Sequence, residues 1–277
     1  MKGRGRWVGY IALTVVFSIA CGLLSWWQWN RREEAVSAIR LVEANFDAQP
    51  ADLDELVPDL TAWDDATEWR PVVLEGEYLD DETLLVRNRP RDGGPGWEIL
   101  TPLLLEDGTV FVVDRGWLPL GSQDDVPETI PAPPEGQVSV VARLKKGEPT
   151  LPGRTAPEGQ IATINLPTVA ENVAAAGHES TYTGSYGLVA SESPAPAVSP
   201  LPAVRPPADE GNHLSYAFQW ILFGVMAFIA LFWSIRHERR IKQEEEDAAA
   251  GIVTAPRKTR THPTDAEEED ALIDSMR

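Results

Sequence analysis

The chain has 277 residues, with 43 acidic and 24 basic side chains, a formal net charge of −19 and a single cysteine. This acidic balance, with no basic patch, excludes a nucleic-acid-binding protein, and one cysteine excludes an intrachain disulfide. A domain outside the cytoplasm would therefore depend on its hydrophobic core alone.

Two uncharged apolar stretches lie near the two ends of the chain. Residues 7–27 (WVGYIALTVVFSIACGLLSWW) and 214–235 (LSYAFQWILFGVMAFIALFWSI) are each as long as the roughly 20 helical residues that cross a bilayer core. Trp and Tyr near their ends are typical of interfacial anchors. A cleaved signal peptide explains the first stretch less well, because its apolar run is long and ends in bulky residues. We predict transmembrane helices over residues 7–27 and 213–235.

Charges next to these stretches set the predicted orientation. Basic residues flank both stretches on the side of the nearer chain terminus: Lys2, Arg4, Arg6, Arg236, Arg239, Arg240 and Lys242. By the positive-inside rule, residues 1–6 and 236–277 are cytoplasmic, and residues 28–212 lie outside. Residues after about 243 are acidic and poor in aromatics, which predicts a disordered tail. We therefore expect a multi-pass protein of a bacterial-type cell membrane with both termini cytoplasmic.

The region between the two stretches begins with helical patterns. Apolar residues at helical spacing, Ala35, Ile39, Val42 and Phe46, extend the first helix beyond its apolar part. The stretch PADLDELVPDL then predicts a short helix that is closed by Pro58.

From residue 71 onward the pattern changes to short β-type runs. These runs are PVVLEGEYL, TLLVRNR, WEILTPLLL, TVFVVDRGW, QVSVVARL, QIATINL and TYTGSYGLVA. RDGGPG and EDGT are turn signals, and EDGT lies between two apolar runs, as in a hairpin. One helix, PTVAENVAAA, interrupts the strands. We predict an extracytoplasmic α+β domain over residues 28–193 with mostly antiparallel strands. Residues 194–212 form a proline-rich tether that is extended rather than packed.

Common enzyme signatures are missing from the sequence. It contains no G-x-S-x-G, no H-E-x-x-H and no phosphate loop, and its cysteine lies in the first apolar stretch. His178 and His213 lack the spacing of a metal site, and His178 is expected to interact with the end of the preceding helix. We predict that the protein is not an enzyme.

Two local patterns leave alternatives open. NRPRDGG with GGPG forms either an anion-binding loop, in which the alternating Arg87, Arg89 and Arg91 would point to one side if the strand continued, or a hairpin edge whose charges discourage strand addition. In RGWLP, Gly116 permits an unusual backbone angle and Trp117 fills the core. A partner-docking surface is the alternative for RGWLP.

Four stretches carry a family resemblance: WQWNRR, RPVVLEGEYLDDETLLVRNRP, GPGWEILTPLLLEDGTVFVVDRGWLP and NHLSYAFQW. The motif positions are Trp27, Gln28, Arg31, Thr101, Pro102, Leu103, Arg115, Gly116, Trp117, Pro119, His213, Tyr216, Ala217 and Trp220. In this order and spacing they resemble the surfeit-locus-one family of cytochrome c oxidase assembly proteins, from residue 7 to about 237. Asp114 departs from an asparagine that is common in the family.

The resemblance implies an assembly factor for the heme-copper cytochrome c oxidase that helps insert heme a into subunit one or stabilises that subunit. It implies subunit one and the heme a synthase as partners, and heme a as a transient cofactor. His213 matches the histidine that is proposed as a heme ligand in the family. The alternative is a two-span docking or sensor protein with an outer binding domain and no heme role.

The residues near His213 suit a heme site. In a helix, His213, Tyr216 and Trp220 share one face, which offers an imidazole nitrogen, a hydroxyl and an apolar wall to a porphyrin. The first span ends at the same predicted depth with Trp27 and Gln28.

Two arginines follow directly after the first span. Arg31 and Arg32 could form charge-assisted hydrogen bonds with heme propionates. The simpler interpretation of all these residues is that they anchor the spans at the membrane interface.

Overall fold

A computed structural model describes residues 2–121 and 126–251, with side chains from residue 5 onward. The chain divides into two compact units, one formed by residues up to Trp29 together with those from His213, the other by Asn30–Asn212. The predicted domain end at residue 193 differs from this division, because segment 194–212 belongs to the second unit.

The helices and strands follow one another along the chain in a fixed order. They are α1 (Lys2–Asn45), β1 (Ala51–Asp52), α2 (Leu53–Leu56), β2 (Pro71–Tyr78), β3 (Leu84–Val86), β4 (Gly96–Leu105), β5 (Val110–Pro119), β6 (Gln137–Lys146), β7 (Gln160–Ile161), α3 (Leu166–Ala175), β8 (Ser185–Ser193) and α4 (His213–Ala249). The predicted strand QIATINL is reduced to the two residues of β7, because only these pair with a neighbouring strand.

Two helices are long and apolar enough to cross a membrane. They are α1 and α4, at the two ends of the described chain. α1 continues beyond its apolar part to Asn45, as the spacing of its apolar residues predicted. The fold class is confirmed: two candidate membrane helices flank a β-rich domain with mostly antiparallel strands.

The C-terminal helix is longer than predicted. α4 continues to Ala249, so the predicted disorder is wrong for residues 244–249. Alanine and glutamate are strong helix formers, and Arg240 pairs with Glu244 one turn later. The remainder of the predicted tail, residues 252–277, lies outside the described residues.

Five strands of the second unit close into a ring. β2 pairs with β6 on one side and with β4 on the other, and β6, β8, β5 and β4 follow one another in the sheet. All contacts around the ring are antiparallel except the one between β5 and β8. The result is a small barrel, with β1, β3 and β7 as short extensions. The alternating sequence patterns predicted the strands but not this closure.

Alternate residues of the ring strands fill the barrel. The buried interior side chains are Val72, Leu74, Leu103, Phe111, Val113, Val138, Val140, Ala142 and Leu144. Outside the barrel, α3 covers the β4–β5–β8 face with Leu166, Val169 and Val173. Burying each such side chain contributes about 1.5–3 kcal/mol, so the two cores supply the stability that a disulfide cannot.

The two predicted turns are present. In EDGT, Gly108 has a φ of +84° and the Asp107 carboxylate accepts a hydrogen bond from the Thr109 backbone N–H at 2.8 Å, which joins β4 and β5 as a hairpin. In RDGGPG, Asp92 and Gly93 both have positive φ, the conformation of a tight two-residue hairpin turn.

Helix α3 is capped at both ends. The Asn165 side chain accepts a hydrogen bond from the Thr168 backbone N–H at 3.1 Å. At the other end Gly177 has a φ of +103°, and the His178 backbone N–H donates to the Val173 carbonyl at 3.2 Å. This is a Schellman-type end. The contact of His178 with the helix end is thus made by its backbone, and the expected interaction of its imidazole stays a prediction.

The arginines at 87, 89 and 91 do not share one strand edge. β3 ends before the first of them, and Asn88 has a φ of +57°, which interrupts the extended conformation. Arg87 lies over the Trp97 ring and Arg91 over the Trp117 ring. The β4–β5 register places these two rings on opposite faces of the sheet.

The expectation that Trp117 fills the core is wrong. Trp97, only 5% exposed, is the core tryptophan of this region, whereas Trp117 is partly exposed. The Trp117 ring lies across Gly96, where a Cβ would come within 2.2 Å of it, and its indole N–H donates to the Arg89 carbonyl at 2.6 Å.

The proline-rich segment is extended, as predicted, but it is also packed on the barrel. Leu201 and Trp117 exchange backbone hydrogen bonds of 2.8 and 3.0 Å. The Arg91 guanidinium donates to the Pro202 carbonyl at 2.8 Å. Gly116 has a φ of +131°, and a Cβ there would lie 2.5 Å from the Leu201 carbonyl oxygen. The glycine therefore permits this close approach.

The end of α1 is anchored on the barrel. Asn45 is buried and donates two hydrogen bonds of 2.8 Å to backbone carbonyls. The guanidinium groups of Arg143 and Arg205 lie 3.8 and 5.0 Å from the centre of the Phe46 ring. Arg205, from the proline-rich segment, also pairs with Asp47. The two connections of the second unit thus meet at one aromatic side chain.

Closure of the ring requires a residue without a side chain at position 76, and this requirement can be tested. A Cβ at this position would lie 2.2 Å from the Leu104 carbonyl oxygen, a contact between rigid backbone groups. We expect Gly76→Ala to lower the stability of the barrel by about 1–3 kcal/mol, measured by hydrogen exchange of the β2 and β4 amides. The control is Gly94→Ala, where the nearest atom to the new Cβ is 3.6 Å away. Equal protection in both variants would contradict this account of the closure.

Candidate functional site

The two membrane helices pack through small and polar residues. On α1 the less exposed positions recur at intervals of three and four: Thr14, Ser18, Cys21, Ser25 and Gln28. On α4 they include His213, Ala217, Trp220, Phe223 and Gly224. A Cβ added at Gly224 would lie 3.6 Å from the Cys21 Cβ, so the two backbones are close. This seam is typical of membrane helix pairs, in which small side chains permit close approach.

His213 lies at the start of α4 and is hydrogen-bonded across the seam. Its Nδ1 is 2.8 Å from the Oε1 atom of Gln28 on α1. An amide oxygen only accepts, so Nδ1 carries the proton and the lone pair of a neutral ring lies on Nε2. An imidazole held in this way is prepared to bind a metal ion through Nε2, since the partner of the other nitrogen fixes tautomer and ring orientation.

The predicted aromatic residues are divided between two sides of the helix pair. Trp220 belongs to the seam and its ring meets Phe223 edge-on, with centroids 5.8 Å apart. Tyr216 and Trp27 are 49% and 51% exposed. The seam positions of α4 are one turn apart at 213, 217, 220 and 224, so Tyr216 lies beside them. The predicted common face therefore holds His213 and Trp220, with Tyr216 at its border.

The two predicted arginines have carboxylate partners in the second unit. Arg31 pairs with Glu34 at 2.9 Å, and both side chains are largely exposed. Arg32 pairs with Glu210 at 2.8 Å. In this structure both guanidinium groups are thus engaged. The Arg31–Glu34 pair is typical of residues three apart on a helix, whereas Glu210 is too distant in sequence from Arg32 for a local pattern to pair them.

The arginine of RGWLP lies inside the barrel. The Arg115 side chain is fully buried, donates to the carbonyls of Pro131 and Ala132 at 2.7 and 3.1 Å, and is 3.5 Å from a Glu192 oxygen. Glu192 also accepts a hydrogen bond from the Tyr78 hydroxyl at 2.7 Å. Burial and the neighbouring carboxylate raise the pKa of Tyr78. These interactions close one end of the barrel, so the motif has a structural role.

Comparison with known proteins decides the family. A model of the SURF1 family matches residues 15–225. The chain belongs to the SURF1 family. SURF1-like proteins of Mycobacterium tuberculosis and Mycobacterium bovis are each 30% identical to it over 248 residues, 88% of either chain. The range matched to the SURF1 family contains both Gln28 and His213.

More distant relatives include a protein with a named role. A SURF1-like protein of Rickettsia bellii is 23% identical over 226 residues, 80% of this chain and 89% of the relative. The cytochrome oxidase assembly protein SHY1 of Saccharomyces cerevisiae is 28% identical over 111 residues, which cover 39% of this chain and 28% of SHY1.

In this SURF1-family chain Asp114 belongs to a buried charged cluster on the outer face of the barrel. Arg89 forms two hydrogen bonds with Glu148, of 2.9 and 2.7 Å, and contacts Glu98 at 2.8 Å. Burial raises the pKa of Asp114 well above its usual range, and Glu98 adds to this shift. Burial also raises the pKa of Tyr186. The Arg89 guanidinium thus contacts the carboxylates of Glu148 and Glu98, and its positive charge also acts on Asp114.

The pKa values of the two glutamates in this cluster are shifted in opposite directions. Burial acts to raise the pKa of Glu148, but its hydrogen bonds with Arg89 leave that pKa below the usual value. Burial raises the pKa of Glu98, although Arg89 opposes the shift. The acids that surround Arg89 and Arg115 were not among the residues predicted, because the sequence is so rich in acids that no single one stands out.

Asp114 should make the stability of the SURF1-family barrel depend on pH. Its pKa is higher in the folded chain than in the unfolded chain, so the folded state binds the proton more tightly and loses stability as pH rises above about 4. We expect Asp114→Asn to raise the free energy of unfolding by about 1 kcal/mol or more at pH 8.

The gain should become smaller towards pH 4, where the aspartic acid is protonated in both states. The asparagine oxygen can still accept the Gly116 backbone hydrogen bond, which measures 2.9 Å in the structure. Urea unfolding of the detergent-solubilised chain at several pH values tests this. A difference between wild type and variant that is constant over pH would mean that Asp114 is not the titrating group.

Proposed function

We propose that this SURF1-family protein assists assembly of the heme-copper cytochrome c oxidase, by holding heme a for insertion into subunit one or by stabilising that subunit. The name of the yeast relative, a cytochrome oxidase assembly protein, supports the first part of the proposal. The observation that carries the second part is the His213–Gln28 hydrogen bond of 2.8 Å, which leaves Nε2 of an imidazole ready for a metal ion.

Heme a is the cargo in this proposal. It would supply an iron atom with an open axial position, to which a neutral imidazole nitrogen binds. His213 would provide that nitrogen, Gln28 would keep the ring oriented, and Trp220 would offer an apolar wall. Tyr216, half exposed at the border, would contribute its hydroxyl.

Three residues that the sequence suggested for the heme site have a smaller part in the proposed binding of heme. Trp27 is exposed at the end of the apolar part of α1, where a tryptophan is typical of an interfacial anchor. Arg31 and Arg32 are already paired with carboxylates, and the proposal assigns them no contact with heme. The nitrogen atom proposed to bind the heme iron thus belongs to the pair of α1 and α4, and not to these three residues.

The proposed setting is a cell membrane of bacterial type, with residues 28–212 outside and both termini in the cytoplasm. The basic residues that flank the apolar stretches support this orientation. Subunit one and the heme a synthase are the proposed partners, since one receives heme a and the other releases it. The protein would act without catalysing a reaction.

One observation favours a second candidate, a membrane docking protein with no heme role. Within the second unit, a groove of about 700 Å³ lies between residues 35–43 of α1 and residues 205–209 of the proline-rich segment. Its lining is largely apolar and includes Trp69, whose φ of +70° is unusual for a large side chain.

Heme binding is tested by absorption spectroscopy of the detergent-purified chain, made in cells that synthesise heme a. We expect a heme spectrum that is lost in His213→Ala and weakened about tenfold or more in Gln28→Leu, because partners of ligating histidines typically contribute that much. His178→Ala is the matched control and should retain heme. Heme retained in His213→Ala would place the ligand elsewhere, and a wild type without heme would favour the stabilising role.

The assembly role is tested in cells that lack the gene. We expect such cells to have less heme a in the oxidase while total heme a synthesis is unchanged, as measured by difference spectra and pigment extraction. Wild type should restore the oxidase, and His213→Ala should not if heme delivery is the mechanism. An oxidase with normal spectrum and activity in the deletion strain would contradict the proposal.

A further inference from the structure

The face of α4 where its apolar stretch ends carries exposed aromatic and cationic side chains. We call it the aromatic–cationic face, and its members are Phe232, Trp233, Arg236, His237 and Arg240. The spacing of these residues, four apart in two adjacent rows, places them on one side of the helix. None of them has a part in the proposed heme site.

Aromatic rings form the floor of this face. Phe232 and Trp233 are 61% and 64% exposed, in the last turn of the apolar stretch. The His237 ring is stacked on Trp233, with centroids 4.9 Å apart and planes 7° from parallel. The Arg236 guanidinium lies 5.5 Å from the centre of the Phe232 ring. The two rings therefore hold an imidazole and a guanidinium in defined positions.

The depth of these residues matches that of lipid headgroups. The apolar stretch ends at Ile235, and a helix rises 1.5 Å per residue, so Arg236 to Arg240 extend over roughly the next 8 Å. The polar layer on each side of the hydrocarbon core is roughly 5–8 Å thick. The cations of the face thus lie where phosphates lie, and its rings lie at the hydrocarbon boundary.

Nearby carboxylates do not neutralise the face. Glu238 is held by Arg6 at 2.9 Å and by Lys242 at 2.8 Å. Among the described residues Arg236 forms no ion pair. Glu244 lies 3.5 Å from Arg240 but is two helical turns, about 12 Å, from Arg236. Of the two arginines of the face, Arg236 is therefore the one whose guanidinium has no carboxylate partner within the described part of the chain.

We propose that the aromatic–cationic face binds the headgroup of an anionic phospholipid. The planar guanidinium of Arg236 suits a phosphate, to which it can donate two parallel hydrogen bonds. Phe232 and Trp233 would pack on the glycerol and the first methylenes of the acyl chains. A zwitterionic headgroup is disfavoured because its quaternary ammonium would meet the cations of the face, while the carboxylate next to the face, that of Glu244, is paired with Arg240.

The test is native mass spectrometry of the full chain in detergent, titrated with phosphatidylglycerol and phosphatidylcholine of identical acyl chains. We expect preferential binding of phosphatidylglycerol, reduced about fivefold in Arg236→Gln, since each arginine near an anionic surface contributes about 1 kcal/mol. Arg236→Gln/Arg240→Gln should bind the two lipids equally.

The matched control is Lys242→Gln, which removes the same charge from the side that contacts Glu238, and it should keep the preference within twofold. Circular dichroism would check that all variants remain helical. Equal binding of both lipids by the wild type, or an unchanged preference in the double variant, would overturn the proposal.

A further arm separates a lipid site from a phosphate site. Inorganic phosphate at 100-fold excess over the lipid should not displace phosphatidylglycerol if the apolar contacts are part of recognition. Displacement would mean that the face recognises only the phosphate group, and this result would overturn its assignment as a lipid-binding site. This outcome is independent of heme binding, so it leaves the proposed function unaffected.

Discussion

The second unit depends on one contact: the approach of β2 to β4 at Gly76. There β2 is still paired with β6 on one side and also pairs with β4 on the other, so that an open sheet becomes a ring. The interior that this ring encloses is where Arg115, Glu192 and Tyr78 meet. Without closure, a fully buried guanidinium would face solvent on one side, and the alternation of apolar residues would have no common core to fill. Backbone space at one glycine thus determines the arrangement of many side chains.

A second constraint holds the connections of that unit. α1 is followed directly by Phe46, and the proline-rich segment brings Arg205 to the same ring and to Asp47. Arg143 of β6 strengthens this anchor, since its guanidinium covers the Phe46 ring and donates a hydrogen bond to the Phe46 carbonyl at 2.9 Å. Segments far apart in sequence are therefore joined to the barrel through one residue. The segment expected to be a free tether is part of the domain for this reason.

Local patterns predicted local structure well. The hairpin at EDGT, the helix PTVAENVAAA and the extension of the first helix all follow from spacing and turn residues that lie within a few positions of one another. Ring closure could not be predicted, because the pairing of Gly76 with Leu105 depends on the course of the whole chain. The same holds for Arg115 and Glu192, which are distant in sequence and surrounded by many other acids.

In the candidate site, too, local features were predictable from the sequence and long-range contacts were not. Family motifs pointed to Gln28 and His213, and the predicted two-span topology put both at the same depth without indicating a contact between them. Their hydrogen bond joins residues 185 positions apart, so no spacing rule could pair them. The helical period alone could not show whether Tyr216 belongs to the contact between the helices. The contact positions of α4 follow a heptad-like spacing of four and three residues, and Tyr216, three positions after His213, lies at their border.

The small-residue seam between α1 and α4 also has a consequence for the order of events during synthesis. Ser18 and Cys21 are made early, whereas Gly224, which they meet, follows some 200 residues later. Until then the small residues of the first helix have no Gly224 to pack against. The histidine at the start of α4 can meet Gln28 only when this last helix is in place. Completion of the helix pair and creation of the imidazole site are thus one and the same step.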